Sequence, residues 1–142
     1  RVGRGMERLR MLGSALLAPT RIYVKSLLAT IARHDVRGLA HITGGGITDN
    51  LPRVLPDGVH ARIDLDRWTL PPVFQWLREH GPVADAEMLR TFNCGLGMLA
   101  VVPAAEADAV IATLSGLGET ARVVGEIEAG QVEPRVSYVG AL

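Results

Sequence analysis

The stretch LGMLAVVPAAEADAVIATLSGLGETARVVGEIE, Leu96 to Glu128, decides the fold class. Leu96 to Val102 is a continuous apolar run, the pattern of a buried strand. Pro103 then precedes a helix over Ala104 to Leu114, whose face carries Ala107, Val110, Ile111 and Leu114. Gly116 and Gly118 end it, and Ala121 to Glu128 returns as a second strand. Strand, helix, strand predicts a right-handed crossover onto one sheet. Arg135 to Val139 is expected to add a last, edge strand.

Upstream of this unit the same alternation continues. Asp85 is placed to cap a helix running to Phe92, and Pro71 and Pro72 open another that carries Val73, Phe74, Trp76 and Leu77 and closes at Gly81. Val59, Ala61, Ile63 and Leu65 alternate with His60, Arg62 and Asp64, the period-two pattern of a strand with one wet face. Pro56-Asp57-Gly58 is a turn by composition. A short helix is expected from Thr48 to Leu55, with Pro52 inside its opening turn, and a short apolar strand from Arg37 to Thr43. After the Ala18-Pro19-Thr20 break, Val24, Leu27, Leu28 and Ile31 mark one face of a helix over Ile22 to His34. Arg1 to Leu17 reads as a lead-in, leaving residues 18–142 as the domain. The alternation predicts an α/β or α+β sandwich in which helices cover a mixed sheet.

Composition excludes several classes of function. A chain of 142 residues fits one ordinary domain, and 48% hydrophobic with 21% charged residues is a globular profile. Fifteen basic and fifteen acidic side chains cancel, so no net field favours nucleic acid or an anionic membrane. Arg1, Arg4, Arg8 and Arg10 make the start locally basic; a solvated helix or linker explains them more simply than a targeting segment. The opening on Arg1 rather than Met is what a fragment would show. No apolar run approaches the roughly 20 residues that span a bilayer. The lone Cys94 rules out an internal disulfide and a thiolate-rich zinc site, and it suits a reducing cytoplasm. His34, His60 and His80 are scattered without ligand spacing, so no metal site is expected.

Two polar islands carry the candidate chemistry. The first is His41-Ile42-Thr43-Gly44-Gly45-Gly46, between a strand and a short helix. Glycines let the backbone take positive φ and approach a ligand closely, and successive amides at such a bend form an anion-binding nest. A triple glycine is also a common tight turn, so both readings stand. It is neither a Walker loop, which needs a following lysine, nor a dinucleotide fingerprint, since its glycines are adjacent. Thr43 or Thr48 can add a hydroxyl. Arg53, just beyond Asn50 and Pro52, is either a bidentate phosphate ligand or an exposed helix arginine. His41 is either a proton shuttle or a satisfied structural histidine. The second island is Arg90-Thr91-Phe92-Asn93-Cys94-Gly95-Leu96-Gly97-Met98, at the mouth of the apolar strand. Asn93 offers donor and acceptor, and Cys94 lacks an evident activating base, so a buried packing thiol is the expected role.

Three segments in order, LLAPTRIYVK (Leu16 to Lys25), AHITGGGITDNLPRVLP (Ala40 to Pro56) and MLRTFNCGLGM (Met88 to Met98), resemble the phosphoribosylformylglycinamidine cyclo-ligase family in its carboxy-terminal domain. The likeness runs from about Gly13 to Gly125. It implies a three-layer α/β/α sandwich with ferredoxin-like features, and ATP-dependent closure of the imidazole ring of aminoimidazole ribonucleotide from formylglycinamidine ribonucleotide. It implies a site in which Thr43, Gly44, Gly45, Gly46, Asn50 and Arg53 hold a phosphate, His41 is the catalytic candidate, and Asn93 and Gly95 shape the opposite wall. Thr20, Arg21 and Tyr23 match the segment that joins the domains. ATP and Mg are implied for the intact enzyme, bound mainly by an amino-terminal domain with no counterpart in this chain, as is a homodimer. The chain alone is therefore expected to lack turnover. Related readings are selenophosphate synthetase, thiamine-monophosphate kinase or the hydrogenase-maturation protein of the same superfamily, or a non-catalytic ferredoxin-like binding module.

Overall fold

A computed structural model describes residues 13–130 and 133–142. Most of the lead-in, including its four arginines, lies outside the described residues. The element order is α1 (Val24–Ile31), β1 (Gly38–His41), α2 (Gly46–Asn50), β2 (Val59–Asp64), α3 (Pro72–His80), α4 (Asp85–Thr91), β3 (Met98–Val101), α5 (Ala107–Gly116), β4 (Gly125–Ala129) and β5 (Arg135–Val139). The chain is of the mixed α/β class, with helices packed around two sheets.

The single-sheet crossover is overturned. β3 pairs antiparallel with β1, Leu39 opposite Ala100, whereas β4 joins the other sheet in the order β4-β2-β5. That second sheet is mixed: β4 runs antiparallel to β2, and the edge strand β5 runs parallel to it. The wet face of β2 explains the choice. Arg62 pairs with Glu126 and, at 2.8 Å, with Glu128, while His60 meets Glu128 at 3.1 Å. Cross-strand charge pairs of this kind belong to β4 and have no counterpart on β3. Close approach also requires Gly125, where a β-carbon would collide with the carbonyl oxygen of Arg62 and crowd Ile63.

The inward residues of β2, Ala61 and Ile63, are buried as their alternation predicts. They join one core with Ala40, Ile42, Ile47, Leu51, Leu55, Leu70, Met88, Leu89 and Leu99 that spans both sheets. β3 differs from expectation, because it is not buried throughout: Leu99 is inward and Ala100 exposed. An apolar run does not reveal that only one strand lies beside it. The expected Thr48–Leu55 helix is also divided. α2 begins two residues earlier, and Pro52 opens a separate 3-10 turn over Pro52–Val54. Asp85 is the first residue of α4 rather than its cap; Ala84 holds the cap position without a side-chain hydrogen bond.

The helix α1 forms where its periodicity places it, but its apolar face looks outward. Val24, Leu28 and Ile31 are 59%, 63% and 46% exposed, whereas Ser26 and Thr30 are buried. Burial of these hydroxyls is tolerated because both are satisfied: Thr30 donates to the Ser26 carbonyl at 2.8 Å, and Ser26 reaches Glu119 at 2.8 Å. His34 adds a further tie to α5, its Nε2 lying 2.8 Å from the Thr113 hydroxyl.

Candidate functional site

The glycine bend follows β1 and leads directly into α2. Gly45 and Gly46 have φ of 98° and 57°, in the left-handed region where side chains are strained. Their reasons differ. A β-carbon on Gly46 would overlap the Leu89 carbonyl oxygen and stand 2.9 Å from that of Phe92, so this glycine lets α2 lie against the end of α4. At Gly45 the nearest obstacle is the Asp49 side chain, at 2.9 Å, and Gly44 faces open space.

Asn50 organises the bend. It is buried, and its Nδ2 donates to the carbonyls of Gly46 at 2.8 Å, Gly44 at 3.2 Å and Thr43 at 3.5 Å. In a trans peptide the carbonyl and the next amide point in opposite directions. Turning these carbonyls toward Asn50 therefore turns the amides of Gly44, Gly45 and Ile47 away from it. Those amides find no acceptor among the described residues, whereas the amide of Gly46 donates to the Thr43 carbonyl at 3.0 Å. Ile47 is wholly buried, so its amide is enclosed, and the bend presents a short row of two outward donors, Gly44 and Gly45, over side-chain-free backbone, an arrangement suited to an oxyanion.

Around this row the structure places His41 and Thr43, both exposed, at the end of β1 and the start of the bend. The exposed Arg53 lies beside it, with Nη1 3.4 Å from Asn50 Oδ1. The hydroxyl of Thr48 is engaged elsewhere, 2.8 Å from that of Tyr138. Burial drives the Tyr138 phenol up to about 12, so it remains a neutral hydrogen-bonding group.

The second island packs against the first through residues of its own quoted segment to which the sequence reading gave no individual role. Gly97 accepts the Ile42 amide at 3.0 Å, and Leu89 and Phe92 supply the backbone that Gly46 abuts. Asn93 and Gly95 have local partners. Asn93 Oδ1 accepts from the Gly95 amide at 3.0 Å, and a β-carbon on Gly95 would meet Pro71 at 2.6 Å. Gly97 and Tyr23, quoted in the sequence within the second island and the domain-joining segment, were given no role at this site, and Tyr138 was not singled out at all. A glycine at the entry to a strand, with an aromatic residue in a neighbouring motif, is the signal that points to the first two.

Cys94 is fully buried, and its Sγ donates to the Met88 carbonyl at 3.4 Å. Burial, with Asp85 adding to it, pushes the thiol up to about 11. Native Cys94 is accordingly expected to resist iodoacetamide at pH 8 and to react once denaturant opens the core. Equal labelling rates in the two states, measured by intact mass, would contradict the packing role.

The family profile described as "AIR synthase related protein, C-terminal domain" matches residues 4–137. A phosphoribosylformylglycinamidine cyclo-ligase of Burkholderia cenocepacia (strain HI2424) is 58% identical over 120 residues, 84% of this chain and 34% of that protein. One of the same name from Burkholderia vietnamiensis (strain G4 / LMG 22486) is 55% identical over 122 residues, 86% of this chain and 35% of that protein. The chain thus spans about a third of the length of these curated relatives. A match over nearly its whole length shows that the chain belongs to the AIR synthase related family, in its C-terminal domain.

Proposed function

We propose that this chain is the carboxy-terminal part of a phosphoribosylformylglycinamidine cyclo-ligase, the enzyme that closes the imidazole ring of aminoimidazole ribonucleotide from formylglycinamidine ribonucleotide. The names of relatives at 55–58% identity support the reading. The observation that carries it is the pair of outward amides at Gly44 and Gly45, turned out by the grip of Asn50 on the Thr43 and Gly44 carbonyls behind them. A phosphate of the ribonucleotide, or the phosphoryl group in transit, fits that row by charge and by close backbone approach. Arg53 at its edge adds a cation, Thr43 a hydroxyl, and His41 a group able to donate or accept a proton. Asn93 and Gly95 shape the neighbouring wall.

In this reading ATP supplies the phosphoryl group that activates the amide oxygen of the substrate. Among the described residues no group of three His, Cys, Asp or Glu could hold a metal ion. The metal and most contacts to ATP are assigned to the amino-terminal remainder of the enzyme, and the chain alone is expected to lack turnover. The outward face of α1, with Ile22 84% exposed beside it, supports a docked partner domain, and a homodimer of the whole enzyme goes with the same proposal. No described helix is long and apolar enough to cross a membrane. A cytoplasmic setting suits the lone thiol.

Titrating formylglycinamidine ribonucleotide into the chain while recording its backbone amide spectrum tests the reading. The Gly44 and Gly45 amides are expected to shift. Gly44→Val, whose β-carbon has nothing within 4 Å, is expected to keep the fold and to weaken binding at least tenfold by covering them. Unmoved amides, or equal affinity in the variant, would place the ligand elsewhere.

A further inference from the structure

Tyr23 lies between the two islands. Its hydroxyl occupies the space over Gly97 that a β-carbon there would need. Its ring meets that of His41 at 73°, with centroids 6.2 Å apart, the edge-on geometry that aromatic pairs favour. The segment bearing Tyr23 is fastened on both sides. Arg21 pairs with Glu119 at 2.8 Å and donates to the Gly118 carbonyl at 2.9 Å. Ser26 reaches the other oxygen of Glu119 at 2.8 Å and the Tyr23 carbonyl at 3.0 Å. One carboxylate at the end of α5 thereby clasps the chain before and after Tyr23. Burial raises the phenol above its ordinary range, with Glu119 adding to the rise and Arg21 opposing it, so the ring carries a neutral hydroxyl. His41, by contrast, is exposed at the end of β1, and no hydrogen bond holds its imidazole among the described residues.

We propose that Tyr23 is a positioning residue for His41, its clasped ring limiting the orientations the imidazole takes beside the glycine bend. The inference rests on reading that bend as the substrate site. An imidazole that transfers protons must point at one atom, and a freely turning ring at a strand end populates several rotamers. The glycine at position 97 then has a reason beyond its own strand: it makes room for the tyrosine that steers the histidine. Breaking the Arg21–Glu119 or the Ser26–Glu119 bond of the clasp acts on His41 only through Tyr23.

The test is the nuclear magnetic resonance spectrum of the His41 imidazole in the 142-residue chain, with the signal identified through His41→Gln. In the unsubstituted chain the ring signals are expected to be displaced from those of a free imidazole by the neighbouring aromatic current. Tyr23→Phe keeps the displacement, whereas Tyr23→Leu loses it. Gly97→Ala pushes the tyrosine off its seat and moves the same signals without altering Tyr23, so it carries the test should Tyr23→Leu not fold. His41 signals that stay put in Gly97→Ala, or a Tyr23→Phe chain that behaves like Tyr23→Leu, overturn the proposal. Failure of the functional reading shows separately, as ribonucleotide that leaves the Gly44 and Gly45 amides unmoved in the unsubstituted chain.

Discussion

Gly46→Ala is expected to be the most damaging single-methyl change in the glycine bend, lowering stability by about 3–5 kcal/mol. Two costs combine. The residue sits at φ 57°, where an alanine is strained, and its β-carbon would overlap the backbone carbonyl of Leu89. A clash with a side chain can be relieved by a rotamer change. This one meets the end of α4, and relief requires α2 and α4 to separate along a seam that buries Ile47, Met88 and Leu89. Gly44→Ala is the control, because it adds the same methyl to the same triplet with nothing within 4 Å. Chemical denaturation of the two variants should separate them by most of the predicted cost. Equal midpoints would mean that the Gly46 contact is not a constraint on the fold. Three adjacent glycines thus serve three purposes: open backbone at Gly44, a left-handed turn at Gly45, and helix contact at Gly46.

That division was only partly legible in the sequence. A glycine triplet between a strand and a helix announces a bend with exposed amides, because this follows from local geometry. It does not say which glycine faces another element, since the neighbour lies more than 40 positions away. The same limit applies to the sheets. The alternation in β2 gave its inner face correctly, as Ala61 and Ile63 show, because a strand with one wet face has a period of its own. The apolar run at β3 carried no such record of its partner, and pairing was decided by the charges on β2 and β4 and by Gly125. At α1 the periodicity identified a helix and implied the wrong inward face. Hydroxyls satisfied by Glu119 and by the helix backbone replaced apolar residues at the contact with α5, a substitution that hydrophobic pattern cannot register. The site residues His41, Thr43, Asn50 and Arg53 were near one another by sequence proximity alone. Tyr23 was legible only as part of the Thr20-Arg21-Tyr23 segment, because its ring contact with His41 depends on a seat over Gly97 and on a clasp at Glu119, almost 100 positions downstream.

Asn50→Ala is expected to cost about 2–3 kcal/mol and to abolish the geometry proposed to bind an anion at the bend. The wild-type Nδ2 is the donor shared by the Thr43, Gly44 and Gly46 carbonyls. Without it the Gly44 carbonyl loses its donor, the Thr43 and Gly46 carbonyls keep only backbone donors, and the peptides on either side of Gly44 are free to rotate. Rotation exchanges outward amides for outward carbonyls, which repel an oxyanion, so ribonucleotide affinity should fall by more than the stability loss alone requires. Asn50→Asp sharpens the distinction. It keeps the side chain's shape but removes both donors and sets a negative charge against the carbonyls, and the exposed Arg53 at its other oxygen offsets little of that. Asn50→Asp should therefore be less stable than Asn50→Ala at neutral pH. The gap should narrow as pH falls, because protonation removes the charge and restores one donor. Denaturation of both variants at pH 7 and pH 4, beside ribonucleotide titrations in the folded range, reads each effect separately. An Asn50→Asp chain as stable as the unsubstituted one at pH 7 would mean that the loop carbonyls do not depend on this donor. The outward row of amides would then lack its cause.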